Sequence, residues 1–229
     1  MTRRLVVFGL SNILSDLFDC AHAQGLKIAK IVRHHDEEVG ERDLSVADRI
    51  ASLSALGHQP VLQAMDDFQP EPDEVYILGP TTPTRAALVR EIEARFGLAF
   101  ATLIHPTAYV SPLADLAAGC FVGANSVIGP GARLDPHVFV NRGATVGHDT
   151  HLGAFSRVQP GSNLGGLSRY GRGVTVGIGA TVIERVVVGQ NAFIGAGAVV
   201  IGDVPPDVLV VGAPAKVKKA VPPNLALDA

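Results

Sequence analysis

Counted from Ile104, every sixth residue is apolar: Ile104, Val110, Leu116, Val122, Ile128 and onward to Ile194 and Val200. Sixteen of these 17 positions are aliphatic and the exception is Tyr170. Four places after each stands a small residue or Val (Ala108, Ala114, Cys120, Ser126, Ala132, Val138), and the place directly after the apolar residue is Gly in nine repeats. A period of six is neither helical nor a plain strand alternation. It suits a chain that runs straight for one short side, turns and repeats. The aliphatic residue then points inward, the small one fills a crowded corner, and Gly relaxes the turn. Each turn of such a coil buries its neighbour's apolar face.

Before residue 104 the pattern changes. Arg4–Phe8 and Lys27–Val32 read as buried strands, Val75–Leu78 as a third, and Ile13–Ala23, Ala47–Leu56 and Thr84–Phe96 as helices. Gly25 and Gly97 are candidate helix stops and Thr84 a candidate cap. Strand–helix alternation predicts a small parallel sheet, Rossmann-like in type. The chain therefore divides into residues 1–103, a coil over 104–203 and a terminal segment over 204–229.

Composition narrows the function classes. Residues 104–203 hold 11 charged residues and no Lys, and the whole chain carries a formal charge of −3, which argues against nucleic-acid binding. Cys20 and Cys120 lie far apart without metal spacing, which excludes a disulfide scaffold and fits a reducing, cytoplasmic setting. The first apolar run breaks at Gly9, Ser11 and Asn12, too early for a signal peptide, and no run reaches the roughly 18 residues of a membrane span.

The repeats, as in IGPGAR, VGQNAF and IGAGAV, resemble the hexapeptide repeats of left-handed parallel β-helices. Three hexapeptides make one triangular turn in that family, so the stretch forms about five and a half turns and, at a strand spacing of roughly 4.8 Å, a prism about 26 Å long. The fold expected is an α/β N-terminal Rossmann-like domain followed by an all-β left-handed parallel β-helix.

Most proteins that these repeats resemble are acyltransferases using acyl-CoA, and acyl transfer requires a base near neutral pH, a task that histidine suits. His105 opens the coil beside Pro106. His137 and His151 each precede an inward stretch and read as surface residues near corners. His148 follows Gly147, precedes Asp149 and stands 18 residues from both Pro130 and Gly166. Gly166 leaves space for a ligand beside the imidazole. The segment Asn141–Gly166 resembles the family of sialic-acid O-acetyltransferases and bacillosamine and perosamine N-acetyltransferases. Asn141, His148, Asp149 and the pair Gly165-Gly166 match its motif in order and spacing. The resemblance implies His148 as general base, Asp149 as its orienting partner, and Asn141 and Gly166 as positioning groups for acyl donor or acceptor. Some members carry a second His where this chain has Arg157, which is assigned to the cofactor side. Gly212-Ala213-Pro214-Ala215-Lys216 resembles the segment that closes the coil beside coenzyme A, and Gly195, Ala196 and Gly197 leave the narrow surface a pantetheine arm needs. Lys216, Lys218 and Lys219 face phosphates or form a solvated basic tail.

In the first domain, Gly9, Ser11 and Asn12 stand where relatives grip a nucleotide sugar. Asp36 accepts from a ribose or base, or is a solvated acid beside Glu37 and Glu38. Gly79 and Arg85 resemble a Gly…Arg stretch of the relatives, and Arg85 meets a phosphate or covers its helix start. The resemblance implies acetyl-CoA as co-substrate, no metal, a sugar amine or hydroxyl as acceptor and a homotrimer with shared sites. The competing readings are a non-catalytic scaffold and a zinc carbonic anhydrase, which needs three convergent imidazoles.

Overall fold

Residues 3–222 and 224 are described by the computed structural model. In the first module, β1 (Arg4–Phe8), β2 (Lys27–Arg33), β3 (Val61–Ala64) and β4 (Glu74–Leu78) form an all-parallel sheet in the order β3-β2-β1-β4. Leu5, Val6, Val7 and Phe8 are fully buried, because helices cover both faces of the sheet. Leu5 and Val7 pack with α1 (Leu14–Ala23) and α2 (Val46–Ser54), whereas Val6 and Phe8 pack with α3 (Arg85–Phe96). A capping box between Ser45 and Asp48 starts α2. Gly97 ends α3 with φ 64°, a left-handed conformation open to glycine, while the Thr84 side chain makes no cap bond.

The sequence pattern predicts three strands here and the structure has four. Strand β3 is a four-residue edge strand whose Val61 and Leu62 face solvent, so it carries no buried apolar run for a periodicity argument to find.

The coil consists of seventeen two-residue strands, β5 to β21, which begin at Leu103–Ile104 and recur every six residues to Val199–Val200. Each pairs in parallel with the strand 18 residues away, as Leu103 with Phe121 and Phe139 with Arg157. Three stacked parallel sheets result, and they fit a left-handed β-helix. We call them the first face (from Leu103–Ile104), the second (from Tyr109–Val110) and the third (from Asp115–Leu116), and each corner takes the number of the face before it. The first face continues into β22 (Val208–Val211), which pairs antiparallel with β23 (Lys216–Ala220).

Both predicted inward positions form one continuous core, from Cys120 and Val122 to Ala198, Val200 and Val210. The inward corner hydroxyls are satisfied by the layer above: Ser126, Thr150, Ser156 and Ser162 each donate to the carbonyl 15 residues on, at 2.8–3.1 Å. The glycines directly after the aliphatic residues have a different reason from the one the turn suggests. A Cβ on Gly123 would come within 2.7 Å of the Arg142 backbone nitrogen, so these glycines permit close stacking of layers. The left-handed turn residue stands two places later, and includes Asn125, His137, Asp149 and Phe155 beside several glycines.

The first face docks on the α/β module. Leu103, Phe121 and Phe139 join the core of α1 and α2, with the two phenylalanine rings stacked 4.7 Å apart. Arg142 Nη1 bonds Asp16 Oδ1 at 2.8 Å, and the Arg85 guanidinium donates to the carbonyls of His137 and Ser156.

Candidate active site

The strand Thr145–Val146 ends the second face, and Gly147 turns the second corner. A side chain at Gly147 would strike Gly166 in the layer above, at 2.5 Å from its nitrogen. His148 comes next and projects outward. Asp149 takes the left-handed turn position, with φ 54° and its N–H donating to the Pro130 carbonyl at 2.9 Å. That turn brings its carboxylate Oδ2 to 2.8 Å from His148 Nδ1, with both side chains 57% exposed. A carboxylate only accepts, so Nδ1 carries the proton and Nε2 keeps its lone pair for a reacting group.

Gly166 lies directly over this ring. A Cβ there would stand 2.7 Å from His148 Nε2, 2.8 Å from Cδ2 and 3.0 Å from Cε1. The space expected for a ligand beside the imidazole is thus used by the imidazole itself. Gly166 N–H makes no hydrogen bond among the described residues.

Asn141 sits on the first corner, one corner away from His148. Its Nδ2 donates to Gln159 Oε1 at 3.4 Å in the next layer, and its Oδ1 accepts from the Arg142 N–H at 2.8 Å. Both side chains, with Arg142, Arg157, Pro160 and Ile178, wall a cavity of about 870 Å³ between coil and α/β module. The module contributes Ser11, Asn12, His34, His35, Thr81 and Arg85 from the C-terminal ends of its strands and the loops beyond. Strand order reverses between β1 and β4, and the cavity opens at that point.

Gly9 and Gly79 serve this cavity from behind. Each holds the two strand-end loops together: a Cβ on Gly9 would meet Pro80 at 2.7 Å, and one on Gly79 would strike the Gly9 carbonyl. Ser11 Oγ bridges the same loops by donating to the Gly79 carbonyl at 2.7 Å. Asp36 lies outside the main cavity, with its side chain 94% exposed and paired to Arg33 at 2.9 Å; it lines a neighbouring hollow of about 540 Å³. Arg85 is buried and covers its helix start through the Thr81 carbonyl, and burial lowers its pKa to about 9.

Arg157 stands on the first face and forms one wall of the same cavity. The coil's far end gathers Gly195, Ala196, Gly212, Ala213, Pro214 and Lys216: Val199 N–H donates to the Gly212 carbonyl at 2.9 Å, and Gly195 packs under Val211. Lys216, Lys218 and Lys219 are exposed on β23.

The sequence reading named only the last member, Gly197, of a column on the first corner. Gly143, Gly161, Gly179 and Gly197 stack 18 residues apart, all with positive φ, and a Cβ on any of them would meet nothing within 4 Å. The recurrence was visible in the sequence once corners were separated. It also misplaced His137, which is buried rather than at the surface. Its ring stacks on Phe155 at 5.0 Å, edge-on to Phe100, because the third corner faces the α/β module. Burial, with Arg85 nearby, pushes its pKa down to about 4. His151 lies 3.0 Å from Asp135, away from His148. Both cysteines are buried, and burial raises their thiols to about 12 (Cys20) and about 11 (Cys120). Among the described residues no group of three His, Cys, Asp or Glu could hold a metal ion. No helix among them is long and apolar enough to cross a membrane.

No protein-family model matches the chain. The acetyltransferase domain of PglB from Neisseria gonorrhoeae FA1090 is 31% identical, with a TM-score of 0.79 over 94% of this chain and 100% of that one. The chain belongs to the hexapeptide-repeat sugar acetyltransferases. PerB from Caulobacter crescentus, solved with CoA and GDP-perosamine, is 29% identical with a TM-score of 0.75 over 94% of this chain and 97% of its own. Among curated proteins, the bifunctional protein GlmU of Rubrobacter xylanophilus is 50% identical over 46 residues, 20% of this chain. The chain spans 10% and 19% of the lengths of the two curated relatives that it matches. As an enzyme, this acetyltransferase brings the side chains of the adjacent residues His148 and Asp149 together at an exposed corner, a different corner from the cavity of about 870 Å³.

Proposed function

We propose that this acetyltransferase moves the acetyl group of acetyl-CoA directly to an amino or hydroxyl group of a nucleotide-linked sugar, with His148 as general base. The observation that carries this reading is the 2.8 Å contact of His148 Nδ1 with Asp149, which leaves Nε2 free at an exposed corner. As the acceptor nitrogen or oxygen attacks the thioester carbonyl, Nε2 takes its proton and Asp149 steadies the imidazolium; the tetrahedral intermediate then collapses, the C–S bond breaks, and coenzyme A leaves as the thiol with the proton returned from Nε2. The unbonded Gly166 N–H supplies an oxyanion donor. No thiol nucleophile is available, since both cysteines are buried.

The PglB domain has also been solved with acetyl coenzyme A, and PerB with CoA and GDP-perosamine, which supports this donor and a nucleotide-linked amino sugar as acceptor. The bare column Gly143–Gly197 suits a pantetheine arm: three layer steps span about 14 Å, and it ends beside Gly195, Ala196 and Gly212. The first module, with its 3-2-1-4 sheet and a cavity at the strand-order reversal, reads as a Rossmann-like acceptor domain. Ser11, Asn12 and Arg85 line its mouth, and Gly9 and Gly79 shape it.

Within one chain His148 and this cavity lie on different corners. A homotrimer that sets the second corner of one copy beside the first corner of the next completes the site. The enzyme works in the cytoplasm in this reading.

The test is coenzyme A release from acetyl-CoA with a panel of UDP-, GDP- and dTDP-linked amino and hydroxy sugars. One acceptor should support turnover in the wild type. Release with none of them would overturn the reading, as would a monomer in light scattering at micromolar concentration.

A further inference from the structure

The large cavity contains an electrostatic imbalance. Three guanidinium groups reach it, from Arg85, Arg142 and Arg157, together with His34 and His35. Its acids are Asp16 and Glu91. Asp16 is spent on Arg142, and Glu91 pairs with Arg95 at 3.3 Å on the same helix. Arg85, only 4% exposed, has no carboxylate partner and spends its donors on the carbonyls of Thr81, His137 and Ser156. Arg157 makes one hydrogen bond among the described residues, from Nε to Thr175 Oγ1 at 3.1 Å, and no ion pair. Its Nη groups therefore offer up to four N–H donors to the cavity.

Two largely buried cations without a counter-charge are costly alone and favourable with an anion between or beside them. Burial lowers both guanidinium pKa values, and Arg157 lowers that of Arg85 a little further. Arg157 lines the same cavity as Ser11 and Asn12, which follow the β1 strand end, a place that favours phosphate. The cavity lies between the coil and the α/β module, whereas Gly195, Ala196 and the Gly212 turn stand at the coil's far end and do not line it, so an anion here belongs to the acceptor rather than to coenzyme A.

We infer that Arg157 is an acceptor-binding residue of the coil, whose guanidinium holds the diphosphate of the nucleotide-linked acceptor against the α/β module. This rests on the reading that the cavity takes such an acceptor. It moves Arg157 from the cofactor side to the acceptor side, and gives the coil a share in acceptor recognition. A diphosphate brings two anionic groups, one for the Arg157 fork and one for the loop at Ser11, where a carboxylate or single phosphate brings one.

The experiment uses full-length protein, calorimetry and thermal unfolding with UDP, GDP, dTDP, inorganic pyrophosphate and acetyl-CoA. For Arg157→Gln, affinity for the nucleoside diphosphate that the wild type binds should fall on the order of 10- to 100-fold. Pyrophosphate should no longer raise its melting temperature, and acetyl-CoA should bind as before. Arg157→Lys, a point charge without the fork, should recover part of the loss. Without ligand, Arg157→Gln should melt at or above the wild-type temperature, because it removes an uncompensated charge. A lower melting temperature with unchanged nucleotide affinity would make Arg157 a structural residue and overturn the inference. Weakened acetyl-CoA binding with unchanged nucleotide affinity would return it to the cofactor side. If the wild type bound pyrophosphate through Arg157 but no nucleoside diphosphate, the anion site would stand and the nucleotide reading would fail. Binding of neither would sink both.

Discussion

Gly166→Ala probes the base without touching it. The backbone at Gly166 is not left-handed, so alanine is conformationally acceptable there. The three atoms nearest to an added Cβ all belong to the His148 ring: Nε2 at 2.7 Å, Cδ2 at 2.8 Å and Cε1 at 3.0 Å. An ordinary contact begins near 3.4 Å, so the ring edge must retreat by about 0.7 Å (3.4 less 2.7). Nothing in the fold opposes that movement, because His148 is 57% exposed and not packed in the core. Stability should therefore change by no more than about 0.5 kcal/mol, as for surface substitutions generally. Catalysis should suffer far more. A base displaced by close to 1 Å can lose on the order of 10²-fold in rate, and its bond to Asp149 is strained by the same motion. The assay is steady-state coenzyme A release beside a denaturant titration of the same preparation. Turnover within threefold of wild type, at unchanged stability, would show that His148 is not the proton acceptor or that its position is uncritical. Loss of stability beyond about 2 kcal/mol would show instead that Gly166 serves the stacking of layers.

Replacing the base itself sets the upper limit: His148→Asn should lower kcat on the order of 10²–10⁴-fold with acetyl-CoA binding retained, and Asp149→Asn should cost less; a His148 variant that kept a tenth of its turnover would end the assignment. His137, 7% exposed, is held neutral with a pKa lowered from 6.5 to about 4. Its contribution is complete above pH 6.5 and is lost as pH falls toward 4, by roughly 1.4 kcal/mol per pH unit and about 3 kcal/mol in all. Denaturant midpoints at pH 7 and 4.5 should show this fall, and His137→Gln should flatten much of it; buried His58, lowered in the same direction by burial and by His22, contributes with the same sign. Tyr170, 2% exposed, buries a hydroxyl with no partner. Tyr170→Phe should therefore stabilise the coil by on the order of 1 kcal/mol in urea unfolding, and a loss of similar size would reveal an unseen partner.

The coil was legible because its rule is local and repeated. Two inward residues per six, with 18-residue stacking, specify every strand from Leu103–Ile104 to Val199–Val200. What escaped the sequence depends on docking between modules. His137 and Phe155 occupy turn positions that on a free coil would face water, and here they meet α3 and Phe100. Arg85 carries no sequence signal for two of its three partners, the carbonyls of His137 and Ser156, which lie more than 50 residues away. Edge strand β3 lacks the buried run by which strands announce themselves. The departures from glycine after the aliphatic residue were the better signal: Asn141 and Gln159, one layer apart, both reach the cavity and touch one another.

The spacing of the motif itself bears on how the site is assembled. Residues 18 apart share a corner, so His148 and Gly166 are stacked neighbours, as the alanine construction at Gly166 demonstrates. Residues seven apart lie one face and one corner away, so Asn141 cannot share a corner with His148 on a rigid prism whose layers are locked by parallel pairing. A motif contiguous in sequence is thus divided in space, with His148, Asp149 and Gly166 on the second corner and Asn141, which lines the cavity, on the first. Flexing the coil could not unite them, since its core is continuous from Cys120 to Val210 and each layer is bonded to the next. Rotational symmetry can. A heterologous contact that closes after three copies offers the second corner of each chain to the first corner of its neighbour, and generates three identical sites at once. Under that arrangement Arg157 and His148 of one chain serve different active sites. An Arg157→Gln chain mixed with a His148→Asn chain would then regain activity in hybrid trimers, which two variants of a single-chain site could not do.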